Sequence, residues 1–163
     1  MIYFFSEELA GKKEYATMTT TVNQLLNSKD DEIFTVDPEA LVIDAIKMMD
    51  KKKVGALLVT EKNNNLVGII SERDYTRKVI LKNRSSSKTK VSEIMTSNLK
   101  TADPDQTLDE CMVIMSHNHI RHLPIVKDDK AIGILSIMDV VKNIISEQEF
   151  TIEQLQHYIT DTT

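Results

Sequence analysis

A chain of 163 residues, 41% hydrophobic, with 25 acidic against 20 basic side chains and a net charge of -5, can bury a core but has no general attraction for a nucleic acid or an anionic membrane. Its four glycines, Gly11, Gly55, Gly68 and Gly133, are too scattered to build a Walker or dinucleotide phosphate loop, which excludes those two classes. The single cysteine, Cys111, allows neither an internal disulfide nor a multi-thiolate zinc site, so a cytoplasmic location is expected. The opening apolar residues 1–5 lack a preceding basic group and run into Ser6, Glu7 and Glu8, unlike an export signal, and Met18 is a second candidate start. Asp37-Pro38 predicts a helix over 38–52, with Asp as N-cap, Pro in the first turn, and Leu41, Ala45, Met48 and Met49 on one face. Two apolar runs, 54–60 and 66–70, predict a hairpin, and a helix is expected over 72–82. Residues 83–90 read as an exposed Ser/Lys/Asn linker, followed by a helical turn over 91–95 that matches one over 22–26. The same series then returns: a helix over 104–118, strands over 120–126 and 131–135, and a helix over 137–146. A last short helix is predicted in the tail, where Thr151 and Gln154 make a capping box and Ile152, Leu155 and Ile159 share a face.

The recurrence is an internal repeat. Val36-Asp37-Pro38-Glu39 matches Ala102-Asp103-Pro104-Asp105, and Gly68-Ile69-Ile70-Ser71-Glu72-Arg73-Asp74 matches Gly133-Ile134-Leu135-Ser136-Ile137-Met138-Asp139. One residue is dropped between them, in the turn where Lys62-Asn63-Asn64-Asn65 faces Asp128-Asp129-Lys130. A unit of about 50 residues buries too little to stand comfortably alone, so the two copies are expected to pack together.

The chemistry concentrates at the strand-to-helix junctions. Ser71 with Asp74, and Ser136 with Asp139, each satisfy a helix capping box, which is a sufficient structural reason for both pairs. The same groups suit a ligand: a helix start favours phosphate, and a carboxylate can accept both hydroxyls of a ribose. Seven basic residues against two acidic ones between Glu72 and Lys90 add a local counter-charge for an anion.

These junctions, together with Ile120-Arg121-His122-Leu123-Pro124-Ile125-Val126, resemble tandem cystathionine β-synthase (CBS) domains, the pair called a Bateman module, and in particular stand-alone bacterial or archaeal CBS pairs with a Ser-Glu-Arg-Asp junction. The resemblance covers about residues 17–158. It implies an α+β fold of two βαββα repeats, packed sheet to sheet about a pseudo-twofold axis and paired into a disc-shaped homodimer. On that reading residues 1–16 are an extension, 17–84 the first repeat, 85–90 a linker, 91–146 the second repeat and 147–163 a helical tail. It implies a non-catalytic regulatory module that binds an adenosine ligand, AMP foremost, with ADP, ATP, NAD and S-adenosylmethionine as alternatives, and that signals to a protein partner; a constitutive interaction module is the alternative.

Carried over by position, the first cleft would comprise Ile70, Ser71, Arg73, Asp74, Arg77, Thr101, Ile120, Arg121, His122 and Pro124. The second would comprise Thr35, Val54, Gly55, Ala56, Leu135, Ser136, Met138 and Asp139. Since Ile137 and Met138 stand where Glu72 and Arg73 do, the first cleft is expected to be the tighter phosphate site. His117, His119 and His122 make an H-x-H-x-x-H series, but they cross from a helix into a strand, so no metal site is expected. Ser71 with His122 lacks any legible oxyanion hole, so no hydrolase is expected.

Overall fold

The computed structural model describes residues 20–28 and 32–160, so the extension, the candidate start at Met18 and the last three residues lie outside it. Helix α1 (Val22–Asn27) comes first, and then strand β1 (Thr35–Val36), helix α2 (Val42–Lys52), strands β2 (Ala56–Thr60) and β3 (Leu66–Ser71), and helix α3 (Glu72–Lys78) form one half. The other half has α4 (Leu108–His117), β4 (His122–Lys127), β5 (Lys130–Ser136) and α5 (Ile137–Thr160). β1 runs parallel to β2, and β2 pairs antiparallel with β3. In the second half β4 pairs antiparallel with β5, and the counterpart of β1 shrinks to a single parallel bridge, Ala102 to Ile125. The α+β class and the twofold repetition expected from the sequence are both present.

Each half has its own core. One gathers Val36, Val42, Ala45, Met49, Leu57, Val59, Ile70 and Val79, and the other Leu108, Cys111, Met115, Leu123, Ile125, Leu135 and Val140. The short turns are exchanged between them. Val91 and Ile94, which precede the second copy in sequence, sit in the first core, whereas Val22 and Leu25 sit in the second. Matching hydrogen bonds hold both turns: the Val91 amide donates to Ala40 O and the Val22 amide to Gln106 O, each at 2.9 Å. A Cβ on Gly68 would stand 2.6 Å from Met95 Sδ and one on Gly133 2.9 Å from Leu26 Cδ1, so the turns pack directly on these two glycines and a larger residue would push the Met95 or Leu26 side chain aside.

Several local expectations are corrected. The Asp-Pro pairs open turns and not helices: Asp37 Oδ1 accepts from the Glu39 amide and Asp103 Oδ1 from the Asp105 amide, and the helices begin four residues after each proline. Thr107 caps α4 through a capping box with Glu110, while Leu41 at the start of α2 offers no capping side chain. The linker supplies that cap. Thr89 O and Ser86 O accept the Val42 and Ile43 amides, and Thr89 itself is buried, so residues 85–90 are docked rather than exposed throughout. The helix expected over 72–82 stops at Lys78 and continues as a single tight turn, Ile80–Lys82. The tail makes no separate helix: α5 is continuous for 24 residues, and Thr151 donates to Glu147 O within it instead of starting a new element. The hairpin turns use residues in the left-handed region, Asn63 and Asn64 in one copy and Asp128 and Asp129 in the other, side chains that tolerate it.

Candidate functional site

A cleft of about 490 Å³ lies at the first junction, a volume in the range of small-molecule sites. Of the residues carried over by position, Ser71, Arg73, Asp74, Arg77, Ile120, Arg121 and His122 line it. The first half contributes the junction and α3; the second contributes the segment from the end of α4 into β4. The cleft is therefore composite.

Ser71 is both the last residue of β3 and the N-cap of α3. Its hydroxyl accepts from the Asp74 amide at 3.2 Å, and Asp74 Oδ2 accepts from the Ser71 amide at 3.0 Å and the Ser71 hydroxyl at 2.9 Å. The hydroxyl is thus given to Asp74 and not to His122. On the other oxygen, Asp74 Oδ1 pairs with Lys78 Nζ at 2.7 Å, and the Thr96 hydroxyl stands 3.4 Å away. Lys78 also donates to Ile94 O at 2.7 Å, tying α3 to the turn that leads into the second copy. A carboxylate has about four acceptor directions, so Asp74 is fully engaged, and a sugar diol must exchange for Lys78 or Thr96 rather than fill an open position.

Four cations, Arg73, Arg77, Lys78 and Arg121, surround two carboxylates, Glu72 and Asp74, and the apolar lining comes from Ile69 and Ile120. Arg73 Nη1 donates to His119 O at 3.2 Å, linking the halves across the opening. His119 adopts the left-handed region, as does Lys53 at the equivalent place in the first copy, which lets the chain turn from helix to strand.

Three residues carried over by position are elsewhere. Ile70 is fully buried in the first core; Pro124 is buried opposite Ile134; Thr101 is exposed beside Ala102, outside the cleft. Residues not assigned to this cleft from the sequence complete the lining: Ile69, Glu72, Lys78, Thr96, Asn118 and His119. Thr96 had a readable signal, since it closes the repeated turn at the place of Asn27, but its contact with Ile69 is long-range and invisible in one copy.

At the second junction the same box is built: Asp139 Oδ2 accepts from the Ser136 amide at 2.8 Å, and the Asp139 amide donates to the Ser136 hydroxyl at 3.2 Å. Of the second set, Gly55 instead lines the first cleft, 3.6 Å from the His122 ring at the position a Cβ would take. Ala56 is buried opposite Ser71, Thr35 pairs with Leu58, Val54 packs on the first core, Leu135 is buried in the second and Met138 is exposed on α5. His122 sits on the seam between junctions. Desolvation holds its imidazole below the ordinary value, Asp139 and Glu72 act in the opposite direction, and Arg121 pushes it further down. Among the described residues no group of three or more His, Cys, Asp or Glu is placed to hold a metal, and no helix is long and apolar enough to cross a membrane.

The CBS domain family profile matches residues 18–80 and again 91–146. The chain belongs to the CBS domain family. It is 38% identical over 162 residues to the CBS domain-containing protein CBSX3, mitochondrial, of Arabidopsis thaliana, covering 94% of this chain and 79% of that one. Among solved structures, a CBS-domain protein from Burkholderia ambifaria MC40-6 superposes with a TM-score of 0.75 at 47% identity, covering 79% of this chain and 96% of that one. The CBS domain pair of protein MJ0100, solved with 5′-methylthioadenosine and S-adenosylmethionine, gives 0.71 at 26% identity, covering 79% and 98%.

Proposed function

We propose that this CBS pair is a non-catalytic sensor of an adenine nucleotide, AMP foremost, and that the first cleft is its high-affinity site. The observation that carries the reading is the convergence of Arg73, Arg77 and Arg121, from both halves, around an Asp74 carboxylate of the right kind for a ribose. The purine lies against Ile69 and Ile120, the diol on Asp74, and the phosphate among the guanidinium groups. The adenosine-type ligands held by the MJ0100 domain pair support the ligand class. Because α3 has only seven residues, the arginines and not the helix dipole supply most of the attraction for phosphate.

A bound ligand joins α3 to the segment around Ile120, and signalling requires that this closed arrangement bind it more tightly than the open one. A second reading, a constitutive interaction module, rests on one fact: both junctions already satisfy complete capping boxes without any ligand.

A thermal-shift screen separates the two. A ligand at 100 times its dissociation constant adds about 2.7 kcal/mol, which for a chain of this size raises Tm by about 5–10 °C. AMP, ADP, ATP, NAD and S-adenosylmethionine are compared with adenosine on wild type and on Arg121→Gln. The proposal expects AMP to stabilise wild type and the variant to lose most of the AMP effect while keeping that of adenosine. No shift with any of them favours the interaction module.

A further inference from the structure

A second groove, of about 540 Å³, lies between α4 and the middle of α5 and shares no lining residue with the first cleft. Met112 and Ile144 line it and also pack on the second core, while Ile152, a further apolar wall, is 54% exposed. Asp109 and Glu147 place one carboxylate each on it, from α4 and from α5. Every residue of α5 after Glu147 is exposed. A helical stretch of that length gains too little by itself to be stable in water, so a cover on its apolar side chains adds what propensity does not.

The described chain begins at this groove. Thr20 donates its hydroxyl to Glu147 at 2.6 Å, and its carbonyl accepts from the Leu108 amide, next to Asp109, at 3.0 Å. Both helices that line the groove therefore hold the point from which residues 1–19 depart. Those residues carry one apolar run, Met1-Ile2-Tyr3-Phe4-Phe5, and one pair of cations, Lys12 and Lys13. We propose that this segment is the occupant of the groove: the aromatic run lies against Met112, Ile144 and Ile152, and the two lysines meet Asp109 and Glu147. The chain so carries its own ligand for this surface, and another protein reaches the groove only by displacing it.

Reach and charge both agree with this occupant. The stretch from Phe5 to Thr20 spans up to about 50 Å when extended and about 20 Å on average as a flexible coil, so the groove beside Thr20 is well within its range. A tether of that length holds the run at an effective concentration of order mM, which favours the chain's own segment over any free competitor of similar chemistry. Left in water, five adjacent apolar side chains would make an exposed patch of the kind that soluble chains cover. The lysines stand close enough along the chain to meet the groove's carboxylates, whereas Glu7 and Glu8, between the run and the lysines, have to face solvent.

Photo-cross-linking of the full-length protein tests it, with Phe4 replaced by the photo-reactive analogue p-benzoylphenylalanine. Irradiation is expected to give a product of single-chain mass whose cross-linked peptide, read by mass spectrometry, lies within residues 109–112 or 144–152. Adding Ile152→Glu, a change at an exposed position that the fold tolerates, should cut the yield at least fivefold. A thermal-shift cycle on the full chain gives a second readout. Phe4→Ser with Phe5→Ser should lower Tm by about 2–4 °C, Ile152→Glu should do the same, and the three changes together should cost no more than either set alone. Links to other parts of the chain, links only at twice the single-chain mass, as a segment seated in a second copy would give, an undiminished yield with Ile152→Glu, or Tm losses that are absent or simply add would each overturn the proposal.

Discussion

The two strand-to-helix junctions are built to one plan and surrounded by different chemistry. In both, a serine caps the helix and an aspartate returns the bond, with distances that differ by no more than 0.2 Å. Around the first stand Arg73, Lys78 and Arg121; the equivalent places at the second are held by Met138, Asn143 and Gly55. The lysines at the end of α2, the first copy's counterpart of the helix end that lines the first cleft, are committed elsewhere, Lys52 to Glu32 at 3.2 Å and over the Phe34 ring, and Lys53 to Asp50 at 2.9 Å. Asn143 brings instead a buried carbonyl oxygen without a hydrogen-bond partner. The comparison separates what a junction needs in order to fold, which both copies share, from the guanidinium groups around it, which only the first has.

The sharpest way to break this comparison is to remove the two carboxylates in turn. Asp74→Ala and Asp139→Ala each delete one member of a capping box and should cost similar stability, about 1 kcal/mol. Their effects on AMP should diverge: at least a tenfold loss of affinity for Asp74→Ala, worth about 1.4 kcal/mol, and little change for Asp139→Ala. Calorimetric titration of both proteins measures this. Equal losses would show that the cation difference does not decide the site.

A smaller effect sharpens the first cleft alone. Since Lys78 occupies Asp74 Oδ1 when no ligand is present, a ribose has to take its place. The pair is partly exposed, and such pairs contribute about 0.2–1 kcal/mol. Lys78→Met should therefore tighten binding of adenosine, which has no phosphate to miss the lysine, by up to about fivefold. AMP should gain less or lose. Weaker adenosine binding would mean that Lys78 orients Asp74 and does not compete with the sugar.

Much of this is legible in the amino-acid sequence alone. The repeat, the hairpins and the capping boxes are local, and Ser71, Asp74, Ser136 and Asp139 declare themselves by spacing. What was hidden is what depends on long-range exchange. Nothing near Val91 says that it fills the first core, and nothing in Ser85-Ser86-Ser87 says that the linker's carbonyls cap α2. Asp37-Pro38 misled because a good N-cap pair also makes a good turn, and the buried Val42 four residues on decided where the helix begins. Ile70 was assigned to a cleft by family position, but alternation along β3 turns it into the core, while Pro124, between the core residues Leu123 and Ile125, is buried on the other face of β4. Lys78 and Thr96 went unnoticed because their common partner, Asp74, already had a sufficient local explanation.

The smallest expected effect tests whether the two junctions communicate through His122, which lies on the seam with Glu72 and Asp139 on either side and Arg121 beside it. Its folded value lies below the ordinary 6.5, so as pH falls the unfolded chain takes up the proton first. The contribution of the neutral ring is thus complete above about 6.5 and is lost progressively below it. Wild type should lose more Tm between pH 7.5 and 5.5 than His122→Gln does, with the carboxylates common to both cancelling in the comparison. A phosphate bound among Arg73, Arg77 and Arg121 adds negative charge beside the ring and raises its value again, so AMP binding near pH 6 should be accompanied by proton uptake at this residue. Calorimetry in buffers of different ionisation enthalpy reads that uptake directly. If the wild type and His122→Gln take up the same number of protons, the imidazole does not sense the phosphate, and the cleft must communicate across the seam by contact alone.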